Sequence, residues 1–584
     1  MISNIEKVNQ YFQIPICFNE NRMELKKNVI DDLELINTVD PSCNSIYSFA
    51  FQPRTSLGKK VLEQFPQHYT TDVEFLKDTQ SLLKNYKKMD LKCDENKNQM
   101  LTEVMEVWDD IKNDTGFKEK YQFIDWPMWE FLNHSESFLQ VMSIYNLASP
   151  VISLFVPFII TIIPFFIIKM KGLKITVGEY IEVLKIIASN HAVGKLFTEF
   201  NNVQRLSEKF YLIVSAAFYI FSIYQNILTC QRFHNNMKKI HSHLKKVREY
   251  IEYSEVKMYN ILLYTENLKT YTVFNEKLKQ RLTELSKLKE LLNTVTEYKL
   301  SMKKVGELGS VLKSFYTLYD NKLYYESLMF SFGFHGYLDN IEGFIDNMNT
   351  GKINAAKMST KKSSGKMKKF YYPALINTPH VKNTVKFRKN LIITGPNASG
   401  KTTILKTVLI NTIITQQMGC GFYESATMCP FKYIHCYLNI PDTSGRDSLF
   451  QAEARRCKDI LDIIKQYPKE KHFCVFDELY SGTNPDEAVL SALAFMKYLI
   501  KNDNVFCVLT THFIEVCKHL DKNVKITNFY MHTENVFDEH GNNDVANFKY
   551  KYLLKKGISN VRGGIKVLCD MDYPSEIIEE SKKF

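Results

Sequence analysis

The stretch "LIITGPNASGKTT", Leu391–Thr403, departs from its surroundings. An apolar run gives way to two glycines, a proline and several small residues, and then to a helix-like segment. Gly395, Pro396, Asn397, Ala398, Ser399, Gly400, Lys401 and Thr402 fit the pattern G-x-x-x-x-G-K-[ST]. Glycines let such a loop curl so that several backbone N–H groups face one anion. "NLIIT" before the loop reads as a buried strand, and "TTILKTVLINTIITQQ" after it reads as a helix. A helix N-terminus adds partial positive charge at the same place. The bare pattern occurs by chance in glycine-containing turns, but strand and helix flank it here. The expectation is a nucleotide site running from Gly395 to Thr403. Lys401 would reach the β- and γ-phosphates of ATP, and the Thr402 hydroxyl would bind Mg²⁺.

Two further segments add parts. "HFCVFDE" is a short apolar strand ending in Asp477 and Glu478. An acid at the end of a buried strand suits the Mg²⁺ shell, and the next carboxylate can orient or deprotonate the attacking water. "NVFCVLTTH" is another apolar strand, running to His512. By itself a strand-end histidine says little. Beside the other two motifs it is expected to contact the γ-phosphate or water. Open α/β sheets bind ligands at this carboxyl edge. The spacing of the parts points to ATP hydrolysis.

These residues resemble those of the MutS family, within the ABC-type ATPase class. "GPNASGKT" matches the family's phosphate loop, including Pro396 and Asn397, and "DELYSGTNPDE" is similar to its acidic strand and the Gly-Thr segment that follows. "SGRDSLFQAEARRCKDIL" resembles the signature loop and its helix, with Ser448, Phe450 and Glu453 in matching positions. The tail "YLLKKGISNVRGGIKVLCDMDYPSEIIEES" is similar to the family's C-terminal stretch, with Gly557, Ser559, Gly564 and Pro574 in register. The resemblance implies a C-terminal α/β P-loop ATPase domain over residues 370–584, preceded by a mostly α-helical core. It further implies a homodimer in which Ser448 acts in trans on the other subunit's γ-phosphate, and a role on double-stranded DNA.

Near the N-terminus, "PSCNSIYSFAFQPRTSLGKKVLEQF" is similar to the start of that family's helical core, where Thr-x-x-Gly-Lys recurs. The expected organisation is an N-terminal segment (1–30), a helical core or lever domain (31–350), a linker (351–369) and the ATPase domain. Such a layout has no room ahead of the core for mismatch-recognition and connector domains. No Phe-x-Glu mismatch reader is assignable, so direct mismatch sensing is not expected.

The middle of the chain is built for long helices: no proline occurs between 165 and 372 and no glycine between 195 and 305. "KLKQRLTELSKLKELLNTV" repeats apolar residues at three- and four-residue steps, as an amphipathic helix does. Two stretches lack Asp, Glu, Lys, Arg and His altogether: Ser137–Ile168 and Phe210–Gln231. Residues 149–168 and 210–229 within them are each long enough to cross a bilayer. Trp126 and Trp129 lie upstream of the first, and the second is followed by the basic, acid-free "RFHNNMKKIHSHLKKVR". The expectation is a membrane hairpin with the ATPase domain in the cytoplasm. A buried hairpin in a soluble helical domain is the alternative. "GKINAAKMSTKKSSGKMKKF" has seven lysines and no acid, and reads as a solvated linker.

Composition sets wide bounds. A formal net charge of +11 is compatible with nucleic acid or an anionic membrane surface. Twelve cysteines without C-x-x-C pairs or zinc-like spacing suggest reduced thiols in an intracellular protein. "MISNIEKVNQYFQ" has no apolar core of the kind a cleaved leader needs. The leading expectation is therefore an ATPase that couples nucleotide binding to movement of a helical core, in DNA transactions. The rival is a membrane-tethered mechanochemical or scaffold ATPase with no DNA role.

Overall fold

The computed structural model describes residues 3–582 apart from 90–96, 113–115, 173–175, 191–193, 197–199, 201–203, 297, 299–300, 361–364, 439–447, 538–542 and 562. The chain forms two compact units. One comprises Met1–Asn4, Lys92–Glu255 and Leu282–Leu328, and the other Ile5–Leu91, Val256–Arg281 and Met329–Phe584.

The first unit is helical. Helices α1 (Glu136–Met170), α2 (Val177–Asn190), α3 (Leu206–Thr265, of which residues to 255 belong here) and α4 (Leu308–Asp320) carry it. Ser135 caps α1 by accepting from the Phe138 amide. α1 and α3 run antiparallel: Tyr219 Oη donates to the Ser153 carbonyl at 2.7 Å, and Cys230 Sγ to the Leu147 carbonyl at 3.6 Å. α4 lies against the start of α1, where a Cβ on Gly309 would come within 2.5 Å of the Glu136 carbonyl. The 60 residues of α3 change character along its length. From Phe233 to Ile251 it buries Phe233, Met237, Ile240, Leu244, Val247 and Ile251, an apolar stripe at three- and four-residue spacing. Its uncharged first part, by contrast, exposes Phe210, Phe218, Ile220 and Phe221. Side chains at 156–161 and 164–165, inside the first expected span, lie outside the described residues.

The second unit holds α5 (Lys322–Asn349, of which residues from 329 belong here) and three sheets. A short antiparallel pair joins β1 (Arg22–Glu24) and β2 (His68–Thr70). A five-stranded sheet has β3 (Asn354–Met358), β4 (Lys366–Phe370), β5 (Asn383–Lys386), β7 (Cys420–Gly421) and β8 (Ser425–Met428), in the order β5-β4-β8-β3-β7. A six-stranded sheet has β6 (Asn390–Thr394), β9 (Tyr433–Tyr437), β10 (His472–Asp477), β11 (Val505–Thr511), β12 (Ile526–Phe537) and β13 (Asn543–Lys556), in the order β13-β12-β6-β11-β10-β9. Only β13 is antiparallel to its neighbour in the larger sheet. β6 and β11 are buried along their whole length, as strands covered on both faces are, and this explains their unbroken apolar sequences. Helices α6 (Lys401–Met418), α7 (Leu449–Gln466), α8 (Pro485–Leu499) and α9 (Ile514–Leu520) accompany the sheet, and α10 (Gly564–Asp570) and α11 (Ser575–Lys582) follow it.

α6 is buried almost all round although it carries Asn411, Gln416 and Gln417. Each amide has backbone partners. Gln416 pairs both ways with Phe431, at 2.9 Å each, and Gln417 Nε2 donates to the Phe65 and His68 carbonyls at 2.8 and 2.9 Å. The N-terminal residues thus tie into this unit through the core helix.

The lysine-rich stretch expected as a linker differs from that reading. Its described residues supply β3 and β4. β3 alternates, with Ala356 and Met358 inward and Lys357 outward, whereas β4 turns Met367 and Phe370 inward on either side of an irregularity in its register. In β3, counting lysines conceals a period of two, which is the mark of a half-buried strand. Lys368 and Lys369 both pair with Glu424 at 2.6 Å. Residues 361–364 of this stretch lie outside the described residues.

Candidate nucleotide site

β6 ends at Thr394 and α6 begins at Lys401. The loop between them turns through Ala398 at φ +62° and Gly400 at φ +91°, left-handed conformations that glycine adopts without strain. Lys401 is 6% exposed, and its ammonium lies 3.0 Å from the Gly395 carbonyl and 3.3 Å from that of Pro396. Burial lowers its pKa, opposed by the nearby Glu478 and Asp477. The Ser399 hydroxyl is buried and has no hydrogen-bond partner. A curled loop with a buried ammonium and an unpartnered hydroxyl fits a phosphate chain.

At the same edge of the sheet, Asp477 closes β10. Its Oδ2 accepts from the Thr402 hydroxyl at 2.9 Å, and its Oδ1 accepts from Thr510 on the neighbouring β11. Thr402 and Asp477 together offer hydroxyl and carboxylate oxygens, which suits a hard cation such as Mg²⁺. The backbone then leaves the strand sharply. Glu478 has φ +51° and Tyr480 φ +60°, uncommon values for residues with side chains and of a kind that clusters at functional sites. The Glu478 amide donates to the Thr510 carbonyl at 3.0 Å. Its carboxylate lies 3.6 Å from His512 Nδ1 and 3.7 Å from Lys401 Nζ. The proximity of His512 does most to hold the Glu478 pKa below its ordinary value, with help from Lys401 and against burial. β11 ends at Thr511, so His512 stands one residue past it.

The loop opens on a cavity of about 980 Å³ that Asn397–Ile404, Thr403 among them, line together with Glu478. Aromatic residues line it too: Tyr371, Tyr372, His380 and Tyr552. Tyr371 and His380 stack at 4.2 Å. These four residues were not anticipated, because no motif links three separate segments to the phosphate loop. The tail braces the loop as well. The Ser559 amide donates to Thr394 Oγ1 at 2.9 Å, and Tyr550 Oη donates to the Asn397 carbonyl at 3.1 Å. A Cβ on Gly563 would overlap the Pro396 side chain, whereas Gly564 has open space.

Ser448 caps α7, exchanging hydrogen bonds with Gln451 in a capping box. The rest of the signature loop, 444–447, lies outside the described residues. One turn further on, the 2%-exposed Glu453 accepts hydrogen bonds from the segment that follows β10, from Ser481 and Gly482. The signature helix is thereby fastened to the chain three residues past Glu478.

A family model described as MutS domain V matches residues 391–584. The chain is 29% identical over 195 residues to MutS protein homolog 4 of Mus musculus, covering 33% of this chain and 20% of that protein. It is 29% identical over 216 residues to DNA mismatch repair protein Msh3 of Dictyostelium discoideum, covering 35% and 15%. Identity to Endonuclease MutS2 of Acetivibrio thermocellus is 29% over 195 residues, covering 33% and 23%. The similarity therefore spans a quarter or less of each relative.

Proposed function

Since the chain belongs to the MutS family through its C-terminal domain V, we propose that it binds and hydrolyses ATP with Mg²⁺ and couples this to movement of its helical unit. The observation that carries the reading is the convergence of Lys401, Thr402, Asp477, Glu478 and His512 at one edge of a parallel sheet. The loop amides and Lys401 bind the β- and γ-phosphates. Thr402 and Asp477 would hold Mg²⁺, which would supply positive charge against the phosphates. Glu478 orients the attacking water and accepts its proton at a carboxylate oxygen. His512, against the same carboxylate, fixes its direction. The aromatic wall of Tyr371, Tyr372 and Tyr552 excludes water from the rest of the cavity.

The reading extends to a P-loop domain of the ABC type that works as a homodimer, with Ser448 of the partner subunit reaching the γ-phosphate. Relatives named for DNA mismatch repair support double-stranded DNA as a partner, and contact with it would be electrostatic rather than by mismatch reading. The test is nucleotide binding beside steady-state hydrolysis. Wild type should bind ATP and turn it over with Mg²⁺, and Glu478→Gln should bind but turn over slowly. Absence of ATP binding by the folded wild-type chain would overturn the proposal.

A second reading, a membrane-tethered ATPase with no DNA role, is supported by the exposure of the apolar part of α3 and of α1.

A further inference from the structure

We infer that α1 and the first part of α3 form a helical hairpin embedded in a lipid bilayer. This rests on the tethered reading and deepens it by naming the two helical segments that enter the lipid.

The argument starts from a contrast within α3. Where the helix is charged, from Phe233 onward, its apolar residues lie in a buried stripe. Where it is uncharged, Phe210, Tyr211, Phe218, Ile220, Phe221 and Tyr224 are 54–70% exposed. At 100° per residue these positions cover roughly half the circumference of the helix. A docking protein covers a stripe, whereas a solvent covers whatever is left. α1 behaves alike: Val151, Leu154, Phe155, Ile162, Phe166 and Ile167 are 50–59% exposed. Exposed apolar surface of this extent is not tolerated in water.

Length and polarity agree with a bilayer. The 22 uncharged residues of Phe210–Gln231 make a helix of about 33 Å, against a hydrocarbon core of about 30 Å. The bonds from Tyr219 to Ser153 and from Cys230 to Leu147 set the two uncharged runs side by side. Five hydroxyls in the runs have carbonyl partners inside the hairpin. Ser149, Ser153, Ser215 and Thr229 bond back to their own helices, and Tyr219 crosses to the other. Lysine and arginine flank the runs, together with Glu136 and Glu208: Lys169, Lys171, Arg205 and Lys209 at one end, Arg232 and Lys238 at the other. The basic residues reach the headgroup layer and favour anionic lipid.

The experiment uses the full chain reconstituted into phosphatidylcholine vesicles containing a minority of phosphatidylglycerol. The protein should float with the vesicles and resist alkaline carbonate. Brominated lipid should quench the added fluorescence of Phe221→Trp and leave that of Leu263→Trp, an exposed position in the charged part of α3, unaffected. Release by carbonate, or equal quenching of both variants, would overturn the inference. So would a soluble oligomer that needs no detergent and shields the added indole of Phe221→Trp from acrylamide, which would show a second copy as the occupant. ATP hydrolysis measured on the same samples keeps the two readings apart. Hydrolysis without flotation sinks the hairpin alone, and flotation without hydrolysis sinks the ATPase reading alone.

Discussion

The carboxylate of Glu453 accepts hydrogen bonds from both the amide and the hydroxyl of Ser481, at 3.1 and 3.0 Å, and from the Gly482 amide at 3.2 Å. One buried side chain on α7 thus satisfies the turn that follows Glu478. Glu453→Ala should remove the partner of two backbone N–H groups and cost about 1.5–3 kcal/mol of stability, the usual contribution of a hydrogen bond to a charged group. Glu453→Gln keeps one acceptor but turns an NH₂ toward a donor. It should fold, bind ATP normally and lose turnover, because the turn no longer holds Glu478 in its strained conformation. Denaturant unfolding beside nucleotide binding and hydrolysis checks this. Unchanged turnover in Glu453→Gln would separate the anchor from the chemistry.

A pH dependence follows from Glu478. Its folded-state pKa is lowered, so it contributes stability that is present above the ordinary glutamate range and is lost as pH falls through the folded value. The stability difference between wild type and Glu478→Gln should therefore favour wild type at neutral pH and shrink on acidification below that range. Denaturation midpoints of the two proteins in a pH series measure it. A difference that grows toward acid would contradict the contact with His512 and Lys401.

The phosphate loop and its three strands were legible because each signal is local. "NLIIT", "HFCVFD" and "NVFCVLTT" are short apolar runs flanked by breakers, and both faces of β6 and β11 are covered. The aromatic wall was not legible. Tyr371, His380 and Tyr552 carry no pattern, and only the fold brings them to the loop. The lysine-rich stretch differs for another reason: lysine dominates its composition, while the apolar residues between the lysines, Met358, Met367 and Phe370, are buried. The grouping of residues 5–91 with the C-terminal domain was beyond reach as well, since it rests on contacts such as Gln417 with Phe65 and His68 across more than three hundred residues.

The Thr-x-x-Gly pattern near the N-terminus acquires a physical meaning from Asp339. The Asp339 Oδ2 accepts from the Arg54 and Thr55 amides and the Thr55 hydroxyl, all at 2.9 Å. A Cβ on Gly58 would overlap the same oxygen. Gly58→Ala should therefore push the carboxylate away and destabilise the chain by about 1–3 kcal/mol, as overpacking does. Asp339→Asn should cost less, since its carbonyl still accepts. Unfolding midpoints will rank them, and an equal ranking would mean that the carboxylate, rather than the close approach, dominates.

If DNA is a partner, affinity should fall steeply with salt, because contacts from a basic chain to phosphates release counterions. Matched and single-mismatch duplexes should bind alike. Titrations at several salt concentrations test both points, and a large, salt-resistant preference for mismatched duplex would contradict them.

The last prediction concerns sites shared between subunits. Ser448 sits at the N-terminus of α7, where its backbone N–H and hydroxyl are already engaged with Gln451. The hydroxyl accepts from the Gln451 amide, so its own O–H can donate to a γ-phosphate, and in a homodimer the phosphate would belong to the other subunit. Ser448→Ala and Lys401→Ala chains should each be nearly inactive alone. When mixed, a heterodimer places both lesions in one site and neither in the other, because each site takes Lys401 from one chain and Ser448 from its partner. Mixing should then restore part of the wild-type turnover, in proportion to the heterodimer formed. Differently tagged chains, captured sequentially, give that proportion directly. Verified heterodimers with no more activity than either parent would mean that each subunit completes its own site, and Ser448 would be left with the capping of α7 alone.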